Sequence, residues 1–126
     1  NELIKPCIQN GTKILSDRSA YSSVAYQGVG RKLGYEKIYQ LNDIAVGGFW
    51  PEKVVLLDID PFVSLDRQKV ADRIGSDKIE FFQNIREGYL RLSKEFSKSF
   101  LVLDAENSLE DNLIRICNWL GIDKVK

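Results

Sequence analysis

A chain of 126 residues, 44% hydrophobic and 29% charged, has the composition of a single ordinary globular domain. Its 18 Lys and Arg balance 18 Asp and Glu, which excludes the basic excess that a sequence-independent grip on nucleic acid needs. No apolar run reaches membrane-spanning length, and the absence of histidine together with two distant cysteines, Cys7 and Cys117, leaves no zinc-type spacing.

The cysteines read as reduced, packed thiols of a cytoplasmic protein. Without histidine, any chemistry must use Asp, Glu, Arg, Lys or hydroxyls. The opening Asn1-Glu2-Leu3-Ile4-Lys5 is polar and followed by Pro6, so it does not read as a signal peptide. Residues 2–9 read as the tail of a helix closed by Asn10-Gly11. A chain seldom begins on a helix tail that feeds a buried strand, and there is no methionine. A preceding segment is therefore expected.

Lys13 to Asp17 reads as a short strand. Residues 20–28 read as a helix or tight loop ending at Gly28-Val29-Gly30. That pair of glycines is too short for a phosphate fingerprint and suits a turn whose backbone approaches a neighbour. The spacing predicts a helix from Tyr35 to about Val46, with Ile38, Leu41 and Ala45 on one stripe and Gly47-Gly48 ending it. Lys53 to Ile59 is the clearest strand, and its unbroken apolar run predicts cover on both faces. Asp60 fits the N-cap and Pro61 the first position of a helix from Phe62 to about Val70.

Residues 72–76 break the pattern. A long amphipathic helix then runs from about Asp77 to Phe96, with Ile79, Phe82, Ile85, Tyr89, Leu92 and Phe96 facing inward. Asp77 with Glu80 resembles a capping box. Phe100 to Leu103 is a second buried run ending at Asp104. Ser108 with Asp111 caps a last helix whose predicted inner face is Leu109, Leu113, Ile116, Cys117 and Leu120, stopped by Gly121. This order predicts an α/β fold with a parallel sheet and right-handed crossovers. Three strands are few for a sheet covered on both faces.

Candidate function concentrates at residues 17–28. Arg18 would stand at a strand's carboxyl end, the edge where open α/β sheets bind ligands, and could grip a phosphate with two hydrogen bonds. If a helix starts there, Arg18, Ser22 and Tyr26 share one face and Ser19, Ser23 and Gln27 the next. Such a face suits a nucleoside, since Gln27 offers a donor and an acceptor together. An ordinary polar helix face, with Arg18 paired to Asp17, fits the residues equally well. Asp17 could hold Mg²⁺, which takes one or two carboxylates plus phosphates. Of the other strand-end acids, Asp60 reads as a cap, Asp104 as a strand terminator, and Asp58 has no assigned role. The segment from Arg67 to Arg73 is either a solvated basic face or a flap whose cations close over a transferring phosphoryl group.

Asp17-Arg18-x-x-x-Ser22-x-x-Ala25-Tyr26-Gln27-Gly28 resembles the signature of bacterial thymidylate kinases (dTMP kinases). Leu57-Asp58-Ile59-Asp60-Pro61, Asp72-Arg73-Ile74, Phe81-Phe82 through Arg86-Glu87-Gly88-Tyr89-Leu90, and Leu103-Asp104-Ala105 continue the likeness in order, over the whole chain. The resemblance implies a three-layer P-loop NTPase-type fold and transfer of the ATP γ-phosphoryl group to dTMP with Mg²⁺. It implies that residues 1–126 are the carboxyl-terminal part of one nucleoside-monophosphate-kinase-like domain, with a lid at about 66–76. By resemblance, Arg18 would bind the dTMP phosphate. Ser23, Tyr26 and Gln27 would lie against thymine and deoxyribose, with Tyr26 crowding a 2′-hydroxyl, and Ser22 would support that loop. Asp17 would sit near the metal. Arg67 and Arg73 would be lid cations near ATP, with Arg18 forming the catalytic set. The loop Ala105-Glu106-Asn107 would pass the adenine. A cytoplasmic homodimer, binding neither nucleic acid nor membrane, is also implied.

The chain departs from the pattern in places. Ser19 stands where the family usually has an aromatic or imidazole, and Gly75 where many members have Glu. No Gly-x-x-x-x-Gly-Lys-Ser/Thr loop is present. The family's order 2-3-1-4-5 then implies that the first two strands of five are missing, a stretch of roughly 60–90 residues. Lacking the central strand, this piece alone is expected to be unstable or inactive. The competing readings are a deoxynucleoside kinase, which carries a related acid-Arg-Ser motif, and a non-enzymatic remnant that pairs with another chain.

Overall fold

The computed structural model describes residues 4–67 and 76–122. Helix α1 (Ile4–Gln9) leads through an unpaired stretch to the short α2 (Ala20–Ser23) and a π-helix (Val24–Gly30). Then come α3 (Tyr35–Val46), β1 (Val54–Asp58), α4 (Pro61–Arg67), α5 (Ser76–Glu95), β2 (Phe100–Asp104) and α6 (Leu109–Leu120). Strands β1 and β2 pair in parallel, with Val54 opposite Phe100 and Asp58 opposite Asp104. The crossover between them is α4 and α5, as a parallel pair requires. The α/β class with a parallel sheet stands.

The core forms where α2, the π-helix and α3 meet α5. Val24, Ala25 and Leu92 are fully buried there, with Tyr21, Tyr35, Ile85 and Phe100 beside them. Trp50 stacks on Tyr39 at 4.9 Å and lies 4.5 Å from Tyr21, and its indole N–H donates to Asp43 at 2.7 Å. The inward stripe of α5 is as predicted: Ile85 and Leu92 are buried, and Ile79, Phe82, Tyr89 and Phe96 half-buried.

The π-helix is one feature that α-helical spacing did not anticipate. Its signature is the Arg31 N–H, which donates to the Tyr26 carbonyl five residues back at 2.9 Å. Two glycines let it press against α5. A β-carbon at Gly30 would stand 2.8 Å from Ile85 Cγ1 and 3.0 Å from a Phe81 ring carbon. One at Gly88 would stand 3.1 Å from the Ala25 Cα. The close approach expected of Gly28-Val29-Gly30 is thus found at both glycines, since a β-carbon at Gly28 would stand 3.2 Å from the Tyr35 Cα.

Several expectations need correction. Residues 13–17 form no strand: Leu15 is wholly exposed and Ile14 42% exposed. An extended run becomes a strand only by pairing its backbone, and no neighbouring strand lies beside this one among the described residues. The described sheet therefore has two strands where three were expected. Strand β1 is not covered on both faces either, since Val55 and Leu57 are exposed. In α3 the inner residues are Tyr35, Ile38, Tyr39 and Asn42, while Leu41 and Ala45 face out. In α6, Leu109, Leu113 and Leu120 are exposed and the buried residue is Asn112. Helix α5 as described (Ser76–Glu95) already includes Asp77, which is inside it and not at its cap, and Glu80 pairs instead with Lys32 at 2.8 Å. The end of the helix drawn to Val70, and Asp72 to Gly75, lie outside the described residues.

Candidate functional site

The residues of the 17–28 motif are held by two helices from outside it. Ser19 is the N-cap of α2, its Oγ accepting from the Tyr21 N–H at 3.4 Å. The small residue in place of the aromatic or imidazole therefore has a local task. Arg18 precedes it with φ +73°, a left-handed conformation that costs a non-glycine residue about 1–2 kcal/mol. The Ser16 hydroxyl donates to the Arg18 carbonyl at 2.8 Å. The chain thus enters α2 through a turn and not from the end of a paired strand.

From that turn the Arg18 guanidinium reaches the ring of Tyr26, 5.4 Å from its centroid. Phe81 and Tyr89 pack against Tyr26, each with its centroid 6.4 Å away and its ring near perpendicular. The Tyr89 hydroxyl donates to Ser22 Oγ at 2.7 Å. Burial pushes the Tyr89 phenol up, while its bond to Ser22 and the charge of Arg18 pull it down. On the other flank, Asn42 of α3 donates to Ser23 Oγ at 3.2 Å and to the Ile38 carbonyl at 2.8 Å. Gln27 is half-buried within the π-helix, and its carbonyl accepts from Leu33 at 3.2 Å.

Arg18, Ser22 and Tyr26 do come together, but not by the α-helical spacing proposed for them. Helix α2 starts only at Ala20, after Arg18 and Ser19, and from Val24 the turn widens. Ser23 turns toward α3, and Asp17 is exposed beside Arg18.

A second cluster lies at the carboxyl end of β1. Arg86 of α5 grips Asp58 with Nε and Nη2, at 2.8 and 2.9 Å, and Asp60 with Nη1 at 3.0 Å. The other Asp60 oxygen accepts from the Phe62 N–H at 2.9 Å, so one carboxylate caps α4 and holds the guanidinium. The bond to Asp58 chiefly holds the Arg86 pKa up. This clamp gives Asp58 its role: it ties the root of α4, and so the base of the expected lid, to α5. Beyond that base, the side chain of Arg67 and all of Arg73 lie outside the described residues. Ala105 follows β2, with its N–H donating to the Asp58 carbonyl at 2.8 Å. It borders an apolar hollow of about 240 Å³ shared with Leu57, Leu109, Leu113 and Ile116.

Sequence reasoning missed Tyr89, Asn42 and Arg86 as parts of these clusters. Tyr89 was absorbed into the apolar stripe of α5, although a phenol within a buried stripe already asks for a hydrogen-bond partner. Asn42 lies on the inner face of α3, where an amide has the same need. Among the described residues no three acidic or thiol side chains gather as a metal cluster. No helix of the described residues is long and apolar enough to cross a membrane. Both cysteines are free thiols.

Comparison with known proteins follows the same lines. The family model described as Thymidylate kinase matches residues 1–116. The thymidylate kinase of Geobacillus thermodenitrificans is 36% identical over 115 residues, covering 87% of this chain and 51% of that protein. That of Fervidobacterium nodosum is 40% identical over 111 residues, covering 86% and 56%. That of Hahella chejuensis is 40% identical over 121 residues, covering 94% and 58%. The chain spans about half the length of the curated relatives it matches.

Proposed function

This chain belongs to the thymidylate kinase family, and from that premise we propose that the full-length protein, at the length of its relatives, transfers the γ-phosphoryl group of ATP to dTMP. An oxygen of the dTMP phosphate attacks the γ-phosphorus, the bond to the β-phosphate oxygen breaks, and dTDP and ADP result. The observation that supports this reading is Arg18: a strained backbone carries a guanidinium over the face of Tyr26, at the head of a hydroxyl-bearing helix. Backbone strain of this kind persists where function requires it.

Arg18 holds the acceptor phosphate through a planar fork of N–H donors. Tyr26, braced by Phe81 and Tyr89, lies against deoxyribose and crowds a 2′-hydroxyl. Ser23 and Gln27 lie against thymine and deoxyribose, and Ser22 supports the loop. Arg67 and Arg73 are the lid cations near ATP. With Arg18 they stabilise charge on the transferring group. The loop at Ala105 passes the adenine. The lack of histidine is no obstacle, because a phosphomonoester has its second pKa at about 6 and needs no base to become nucleophilic at neutral pH. One exposed carboxylate, Asp17, fits Mg²⁺, which takes most of its ligands from phosphates and water. Asp17 would hold the ion, which when bound neutralises phosphate charge. We further propose a cytoplasmic homodimer, to which the exposed Leu41 and Ile44 of α3 contribute.

The test is ATP-dependent phosphorylation by the full-length protein with dTMP or thymidine as acceptor. dTMP is the expected substrate. Arg18→Ala lowers kcat/KM for dTMP by about 10²–10³, the usual loss when one transition-state charge contact is removed. Preference for thymidine, or full activity without Arg18, overturns the reading.

A further inference from the structure

We infer that Tyr89, a residue of α5 outside the acceptor motif, is a positioning residue that selects the acceptor nucleotide by fixing Ser22 and Tyr26. The inference rests on the dTMP-acceptor reading and extends it to a different helix. A core ring needs no hydroxyl, yet the Tyr89 hydroxyl is spent on Ser22 Oγ, at 2.7 Å and 67 residues away in the chain. A phenol is far more acidic than an alcohol, so Tyr89 donates and Ser22 accepts. The proton of Ser22 is then left to point elsewhere, and the serine presents a donor. The Tyr89 ring stands at 85° to Tyr26 with centroids 6.4 Å apart, and the Arg18 guanidinium lies 5.4 Å from the Tyr26 centroid.

The neighbouring residue makes this reach possible. Gly88 lets α5 approach until a β-carbon there would lie 3.1 Å from the Ala25 Cα and 3.2 Å from Val29 Cβ. Tyr89 is thereby carried against α2 and the π-helix. On the far flank Asn42 holds Ser23, so the two adjacent hydroxyls are held from two different helices. The strip that faces the acceptor cannot rotate without breaking one of these bonds. Its aim is therefore set by α5 as well as by its own sequence.

Tyr89→Phe in the full-length protein keeps the ring and removes the hydroxyl. The expected result is a rise in KM for dTMP of about fivefold, the weight of one buried hydrogen bond. kcat and KM for ATP should stay within about twofold, and preference for dTMP over its ribonucleotide counterpart, ribothymidine 5′-monophosphate, should fall. Ser22→Ala reads the same bond from its other end. It should show a similar loss, and the double variant little more than either alone. Unchanged KM for dTMP and unchanged preference for dTMP over ribothymidine 5′-monophosphate in both variants overturn the inference. So do losses that simply add in the double variant, or that appear equally in KM for ATP, as general loosening would give. A wild-type protein inactive on dTMP overturns the underlying reading instead.

Discussion

Helix α5 carries two halves of this chain, and they are finished to different degrees. On the α2–π–α3 side, Val24, Ala25 and Leu92 are sealed from solvent, and the motif hydroxyls are tied to α3 and α5. On the β1–β2–α6 side, Leu57 and Leu113 are each 55% exposed and Leu109 86%. Helix α6 is as plainly amphipathic as α5, and its caps form as its sequence directs. What differs is whether this chain supplies a partner for the apolar face. Periodicity declares which residues gain from burial; only the assembled neighbours decide whether they obtain it. The acceptor side of the proposed site is closed by residues of this chain, whereas the hollow beside Ala105 is bordered by uncovered leucines.

The largest test of that contrast compares two leucines. Leu92→Ala in the 126-residue chain should cost about 2–5 kcal/mol in denaturant unfolding, as cavity-forming core substitutions do. Leu113→Ala should stay within about 0.5 kcal/mol, as exposed positions do. Equal costs would break the contrast. A Leu113→Ala cost that rises above about 1 kcal/mol only in the full-length protein would sharpen it, by locating cover for that face outside this chain.

A smaller effect is expected at the seam between the π-helix and α5. Gly30→Ala must displace Ile85 and Phe81, both packed in the core, and should cost about 1–3 kcal/mol by overpacking. The proposed dTMP site should loosen with it, visible as a higher KM for dTMP in the full-length protein. A neutral result would mean that the seam is slack and that the closed half is less well packed than it looks.

The mildest test is alkaline titration. Burial, aided by Tyr39 and Glu95, pushes the Tyr21 phenol up to about 12. The folded state thus holds the proton more tightly than the unfolded chain, whose phenol titrates near 10. This contribution is fully present below about pH 10 and is lost as pH rises toward 12. Thermal melts between those values should fall faster for the native chain than for Tyr21→Phe. Parallel curves would show that Tyr21 ionisation does not drive the alkaline loss of stability.

Legibility in the sequence followed the range of the forces involved. Local chemistry was readable. Tyr35 to Val46 is the third helix to the residue, ended by left-handed Gly47, and Asp60, Ser108 and Gly121 act as the caps they resemble. Contacts across long intervals were not readable. The 13–17 run has the residues of a strand but nothing to pair with among the described ones. Arg86 finds Asp58 across 28 positions, and Tyr89 finds Ser22 across 67. The widened turn at Val24 is invisible to a 3.6-residue period, as is the close approach of Gly30 to α5. Within the site, residue types were legible and their orientation was not: Arg18 and Tyr26 meet through a left-handed turn, not along one helical face.

That left-handed turn sets two kinds of selection against each other. Glycine at position 18 would adopt φ +73° without steric cost. A library screened for heat resistance alone should therefore enrich Arg18→Gly, while one of the full-length protein screened for the proposed phosphorylation of dTMP should discard it. If Arg18 holds the acceptor phosphate as proposed, the more stable residue at this position is the useless one, and stability scoring alone would choose it. On that proposal, engineering has to hold position 18 fixed and seek its gains elsewhere.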